Sequence, residues 1–171
     1  RLGDEHPDVA GTLNNVANVH VEQGRGKEAL KGFQEALRIQ VTTLGGEHPA
    51  VAITLNNIAH LEGRQGNHAE ALEDFKEALR IQKKRLGDEH PDVAGTLNNV
   101  ANVHVEQGRG KEALKGFQEA LRIQVTTLGG EHPAVAITLN NIAHLEGRQG
   151  NHAEALEDFK EALRIQKKRL G

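Results

Sequence analysis

Val9, Leu13, Val16 and Ala17, followed by His20, recur at steps of three and four residues with polar side chains between them. That spacing stacks them on one side of a helix. Pro7 suits the first helical position, where its missing N–H costs nothing, and it pushes His6 out of the helical region into the cap. Asp8 adds a favourable negative charge to the first turn, and Gly24 stops the helix. A second stripe, Ala29, Leu30, Phe33, Ala36 and Leu37, extends to Val41 and ends near Leu44, before Gly45 and Gly46, which can take the left-handed conformation. The pattern predicts helix A over 7–23 and helix B over 26–43, joined by Gly24, Arg25 and Gly26. No alternating run of useful length occurs, so no strands are expected.

The same pattern then returns. A shift of 84 residues makes 1–87 identical to 85–171, and a shift of 42 matches 24 of the 42 positions. The chain is one array of four repeats, 1–42, 43–84, 85–126 and 127–168, of two alternating types. Arg169, Leu170 and Gly171 open a truncated fifth repeat, an ending expected of a piece of a longer array. Each hairpin has an apolar flank left over after its two helices meet, and stacking the next hairpin covers it. The expected fold is therefore all-α, a stack of antiparallel helix hairpins.

Composition narrows the function classes. The net charge is −3 with both signs interspersed, so no basic field is available to hold a phosphate backbone, and nucleic acid is not an expected partner. The chain has no cysteine, which excludes disulfides and thiolate metal sites and fits a reducing compartment. No apolar run approaches the roughly 20 residues of a membrane span. No membrane partner is expected, and a cytoplasmic location is. The only aromatic side chains besides histidine are the four phenylalanines, in register at 33, 75, 117 and 159, so the core is mainly aliphatic.

The stretches "QGRGKEALKGFQEALRI" and "QGNHAEALEDFKEALRI" resemble the tetratricopeptide repeat signature, with Ala29 and Ala36 bracketing Phe33. Leu13, Val16 and Ala17 stand where that family has its large, leucine and small positions. His20 and Glu62 replace its usual aromatic, and no proline ends helix B. The family's repeat is about 34 residues, against 42 here; the longer unit with "LG.EHP.VA.TLNN" is similar to the variant in kinesin light chains. The resemblance implies a right-handed superhelical solenoid whose A helices line a concave groove, and binding of a protein or an extended peptide.

On helix A of the first repeat Gly11, Asn14, Asn18 and Glu22 follow one another on the side away from Leu13; the second repeat gives Ile53, Asn56, His60 and Arg64. Amides both donate and accept, and so can hold a peptide backbone without demanding a sequence. The candidate peptide-binding residues are Asn14, Asn18, Asn56, His60, Arg64, Asn98, Asn102, Asn140, His144 and Arg148. Arg64 and Arg148 suit acidic side chains or a terminal carboxylate. The resemblance aligns Asn14, Asn56, Asn98 and Asn140 with positions that often touch peptide; a bond to the neighbouring repeat is the competing role. Asn15, Asn57, Asn99 and Asn141 are expected to make such inter-repeat bonds.

Other chemistry finds no support. The ten histidines include no pair at the spacing of a helical zinc motif, so no metal site is expected; His6 and its copies read as caps and His20 as a partly buried edge residue. "GRGK" at Gly24 lacks the first glycine, the hydroxyl residue and the strand of a phosphate loop. Glu28 and Glu35 read as solvated or capping carboxylates. The chain has neither serine nor cysteine to act as a nucleophile. No catalytic residue and no cofactor is expected, and the chain reads as a non-enzymatic scaffold. The alternative is a self-assembling array without a dedicated ligand: its first helix A and last helix B repeat the two sides of an internal junction, so copies are expected to join head to tail. Gly11, Gly32 and Gly63 each cost about 1 kcal/mol relative to alanine, which favours a natural, recently duplicated array over a designed one.

Overall fold

The computed structural model describes residue 3 and residues 5–170. Among these it contains eight helices: α1 (Pro7–Glu22), α2 (Gly26–Leu44), α3 (Pro49–Arg64), α4 (His68–Leu86), α5 (Pro91–Glu106), α6 (Gly110–Leu128), α7 (Pro133–Gln149) and α8 (His152–Leu170). The chain divides at Arg85 and Leu86 into two compact units of four helices each. In both, successive helices pair as hairpins, as the apolar periods predict.

Local signals set the ends. His6 takes extended backbone angles, and its Nδ1 accepts the Asp8 N–H at 3.2 Å. His48, His90 and His132 repeat this cap at 3.1–3.2 Å. Gly24 turns the chain with φ at +73°, a conformation that excludes most side chains.

In the first unit α1 and α2 meet where side chains are smallest. Ala17, Ala29 and Ala36 are fully buried around Phe33, which is 1% exposed. A Cβ placed on Gly32 would lie 3.1 Å from the Ala17 Cβ, so the close approach explains that glycine. Gly11, with nothing within 4 Å of a Cβ, has no such reason. Leu30 and Leu37 face forward, packing on the cluster that holds Ile58 and Leu61 of α3. Leu37 also reaches the next cluster, where Val51, Ala52 and Leu55 of α3 meet Ala78 and Ile81 of α4. In the second unit Leu114 and Leu121 of α6 make the corresponding contacts with Ile142 and Leu145, and Leu121 reaches Val135 and Leu139.

The segment before each A helix is tied to the B helix of its own hairpin. Arg38 donates to Glu5 at 2.6 Å and to Glu35 at 2.7 Å. Arg80 with Glu47 and Glu77, Arg122 with Glu89 and Glu119, and Arg164 with Glu131 and Glu161 repeat the clamp. These pairs are solvent-exposed and orient the segment more than they stabilise it.

Two expectations need correction. Val41 is 44% exposed; Ile39 and Gln40, at 0% and 4%, form the buried face of the last turn. Val16 is 48% exposed, whereas its counterpart Ile58 is buried, because α2 covers α3 and, among the described residues, no helix covers that side of α1. At the end of the chain α8 runs on through Arg169 to Leu170, as α4 runs through Arg85 to Leu86, and Gly171 lies outside the described residues.

Phe33→Ala is expected to cost about 3–5 kcal/mol in chemical denaturation, and Gly11→Ala to gain up to about 1 kcal/mol. A change below about 0.5 kcal/mol for Phe33→Ala, the scale of surface substitutions, would remove that ring from the core.

Candidate functional site

The A helices carry the candidate residues, and each unit holds its own pair of them. In the first, Asn18 on α1 and His60 and Arg64 on α3 are exposed, Asn56 is half-buried and Asn14 is only 8% exposed. In the second, Asn102, His144 and Arg148 are exposed, Asn140 is half-buried and Asn98 is 8% exposed. The outward polar side chains thus rise from a floor of inward asparagines. His144 also sets its ring against that of Phe159, edge to face at 5.0 Å.

The floor is bonded across the hairpins. Asn14 Nδ2 donates to Thr54 Oγ1 at 2.7 Å, and Thr54 Oγ1 donates to Gln40 Oε1 at 2.7 Å. Thr54 is fully buried and Gln40 is 4% exposed. One hydroxyl therefore joins α1, α2 and α3. Asn98, Thr138 and Gln124 repeat the relay at 2.6 and 2.7 Å. Asn14 thus reaches the neighbouring hairpin, while Asn15 is exposed and Asn57, Asn99 and Asn141 are half-buried. Asn56 Nδ2 is turned to the Ala52 carbonyl at 3.2 Å. The Oδ1 atoms of Asn14, Asn56 and Asn98 are buried with no partner, acceptors held just beneath the polar face.

Threonine and glutamine were missed as a pair. The available signal was that threonine recurs at 12, 54, 96 and 138 and glutamine at 40, 82, 124 and 166, in all four repeats, although the two repeat types agree at only 24 of 42 positions.

Apolar and charged groups complete the face. Ile53 and Ile137 stand 55% and 59% exposed within the ladder, where the first repeat type has Gly11 and Gly95. At its far end Glu22 of the first type alternates with Arg64 of the second. Beside this end Glu62, Glu70, Glu73 and Asp74 line a shallow depression. Burial, then the negative charge of Asp74 and Glu70, raises the pKa of Glu62, whose Oε2 is buried without a partner. Burial likewise raises Asp74, and Glu146 and Asp158 repeat the pattern in the second unit. Glu47 is the opposite case, held down to about 2 by Lys84 and Arg80.

Comparison with known proteins agrees with this architecture. The tetratricopeptide repeat model matches residues 8–84, 51–109 and 92–168. The chain belongs to the tetratricopeptide repeat family. No curated protein matches its sequence significantly. Among solved structures this tetratricopeptide array is similar to BtubC (BKLC) from P. vanneervenii, with a TM-score of 0.85 at 22% identity, over 97% of this chain and 66% of that one. It thus spans just under two thirds of BtubC. A putative kinesin light chain with nearly identical TPR-like repeats from Podosopora anserina gives a TM-score of 0.74 at 27% identity, over 98% of this chain and 80% of that one. MamA gives 0.65 at 14% identity, over 94% and 80%. Tetratricopeptide scaffolds of this kind generally mediate protein–protein interaction and are typically non-catalytic. No described helix is long and apolar enough to cross a membrane.

Glu62→Gln is expected to stabilise the fold near pH 7, since it removes a carboxylate charge that burial, Asp74 and Glu70 disfavour. A raised folded pKa favours the fold below the ordinary value of 4.5 and loses that contribution as pH rises through the folded value. The difference between variant and parent should therefore vanish near pH 4 in denaturant melts. A difference that persists there would show that charge is not its source.

Proposed function

We propose that the array is a non-enzymatic scaffold that holds an extended protein segment along its A helices. What carries the reading is Ile53 and Ile137, more than half exposed on faces otherwise polar. An apolar side chain of the segment would cover each isoleucine. Asn18, Asn102, His60 and His144 would meet its backbone, and Arg64 and Arg148 an acidic side chain or its carboxylate. Asn14, Asn56, Asn98 and Asn140 form the floor, the first and third through the relay. Glu22 and Glu106 give each face one acid beside one base, which favours a partner of mixed charge and disfavours nucleic acid. Lack of cysteine supports action in a reducing compartment such as the cytoplasm.

A second reading, head-to-tail homo-association, is favoured by Leu156 and Leu163 on α8, 58% and 49% exposed. Their counterparts Leu30 and Leu37 lie against α3.

Peptide arrays followed by fluorescence anisotropy test the groove. Arg64→Glu with Arg148→Glu should weaken acidic, isoleucine-covering peptides by about tenfold, the worth of roughly 1.4 kcal/mol, with helicity unchanged. Equal binding by parent and variant would move the site off the A helices.

A further inference from the structure

The two ends of the array carry separate halves of the buried relay. Within the first unit Thr54 of α3 sits between Asn14, which donates to it, and Gln40, which accepts from it. The residues in the same register at the end of the chain are Asn140 on α7 and Gln166 on α8. Asn140 is half-buried and Gln166 is exposed, whereas Asn14 and Gln40 are 8% and 4% exposed. The missing member is a threonine hydroxyl. Thr12 on α1 holds that register and is exposed, with its Oγ1 turned back to the Asp8 carbonyl at 3.1 Å. Thr54 makes the same back-contact at 3.2 Å while its shorter bond goes to Gln40, so the hydroxyl can leave the carbonyl once glutamine is offered.

The apolar surfaces match in the same register. Leu156 and Leu163 stand where Leu30 and Leu37 pack on α3, and Val16 and Val19, 48% and 49% exposed, stand on α1 where α3 has Ile58 and Leu61. Sliding either helix by one residue would set the polar groups against these side chains. Leucine contact alone tolerates such slippage; a buried hydroxyl that must meet its acceptor does not.

We propose that the 171-residue chain binds a second copy of itself through α8 and α1, and that the second copy's Thr12 fixes the register by donating to Gln166 Oε1, beside the amide of Asn140. The joint is heterologous, one face meeting a different one. The proposal rests on the head-to-tail reading and adds to it the bond that selects one alignment.

Sedimentation velocity across a range of concentrations tests both parts. The parent chain should gain mass with concentration, and Leu163→Glu should abolish the gain while circular dichroism stays helical. Thr12→Val and Gln166→Leu, both at exposed positions, should each weaken association by about tenfold or more, as expected when a buried partner is left unsatisfied. Thr12→Ser should retain it, and the double variant should lose less than the two singles together. A parent that stays monomeric, or a Leu163→Glu variant that associates like the parent, overturns the head-to-tail reading and the relay with it. Association that Leu163→Glu abolishes but Thr12→Val and Gln166→Leu leave unchanged overturns the relay alone.

Discussion

Leu30 and Leu37 point out of the hairpin that carries them, and water leaves them only when Ile58 and Leu61 of α3 arrive. This contact across the hairpin boundary is the constraint from which the architecture follows. Burial is non-directional and scales with area, so it drives stacking without choosing a register. The Asn14, Thr54 and Gln40 bonds supply the choice, because a displaced α3 would bury a hydroxyl and two amides without partners. Area gives adhesion and the relay gives alignment, and the polar faces of the A helices are held in place by both.

What could be read from the sequence was whatever depends on near neighbours in the chain. Pro7 after His6, Gly24 between two stripes, and Phe33 between Ala29 and Ala36 each act within a few residues, and the helices end within a residue of the expected positions. Residues whose role depends on another hairpin were harder. Asn14 and Asn15 are neighbours on the edge of one apolar stripe, and a rotation of one residue exchanges their roles. Only the position of Thr54, 40 residues away, decides between them. Val16 and Ile58 occupy the same register, yet one is exposed and the other buried, because burial there is conferred from outside the helix. Val41 misled for a simpler reason: a β-branched residue one position past Gln40 looks more like core than a glutamine does.

Carboxylates on the surface divide by environment in a way that composition hides. Glu47 lies among Lys84, Arg80 and Arg85 and is held ionised. Glu62, from the same helical hairpin, lies among other acids and partly out of water, and resists ionisation. The first kind fastens the segment ahead of an A helix. The second stores unfavourable charge at the end of one, beside the polar face.

The relay also bears on how such an array changes length over generations. Every repeat brings its own acceptor glutamine and its own hydroxyl, so a copied segment spliced in at the repeat boundary finds bonding partners on both sides at once. Unequal recombination can therefore lengthen or shorten the gene in whole modules with no compensating substitution, whereas an indel of any other size sets amides against aliphatic side chains. Complete identity between the two halves is a state this geometry tolerates.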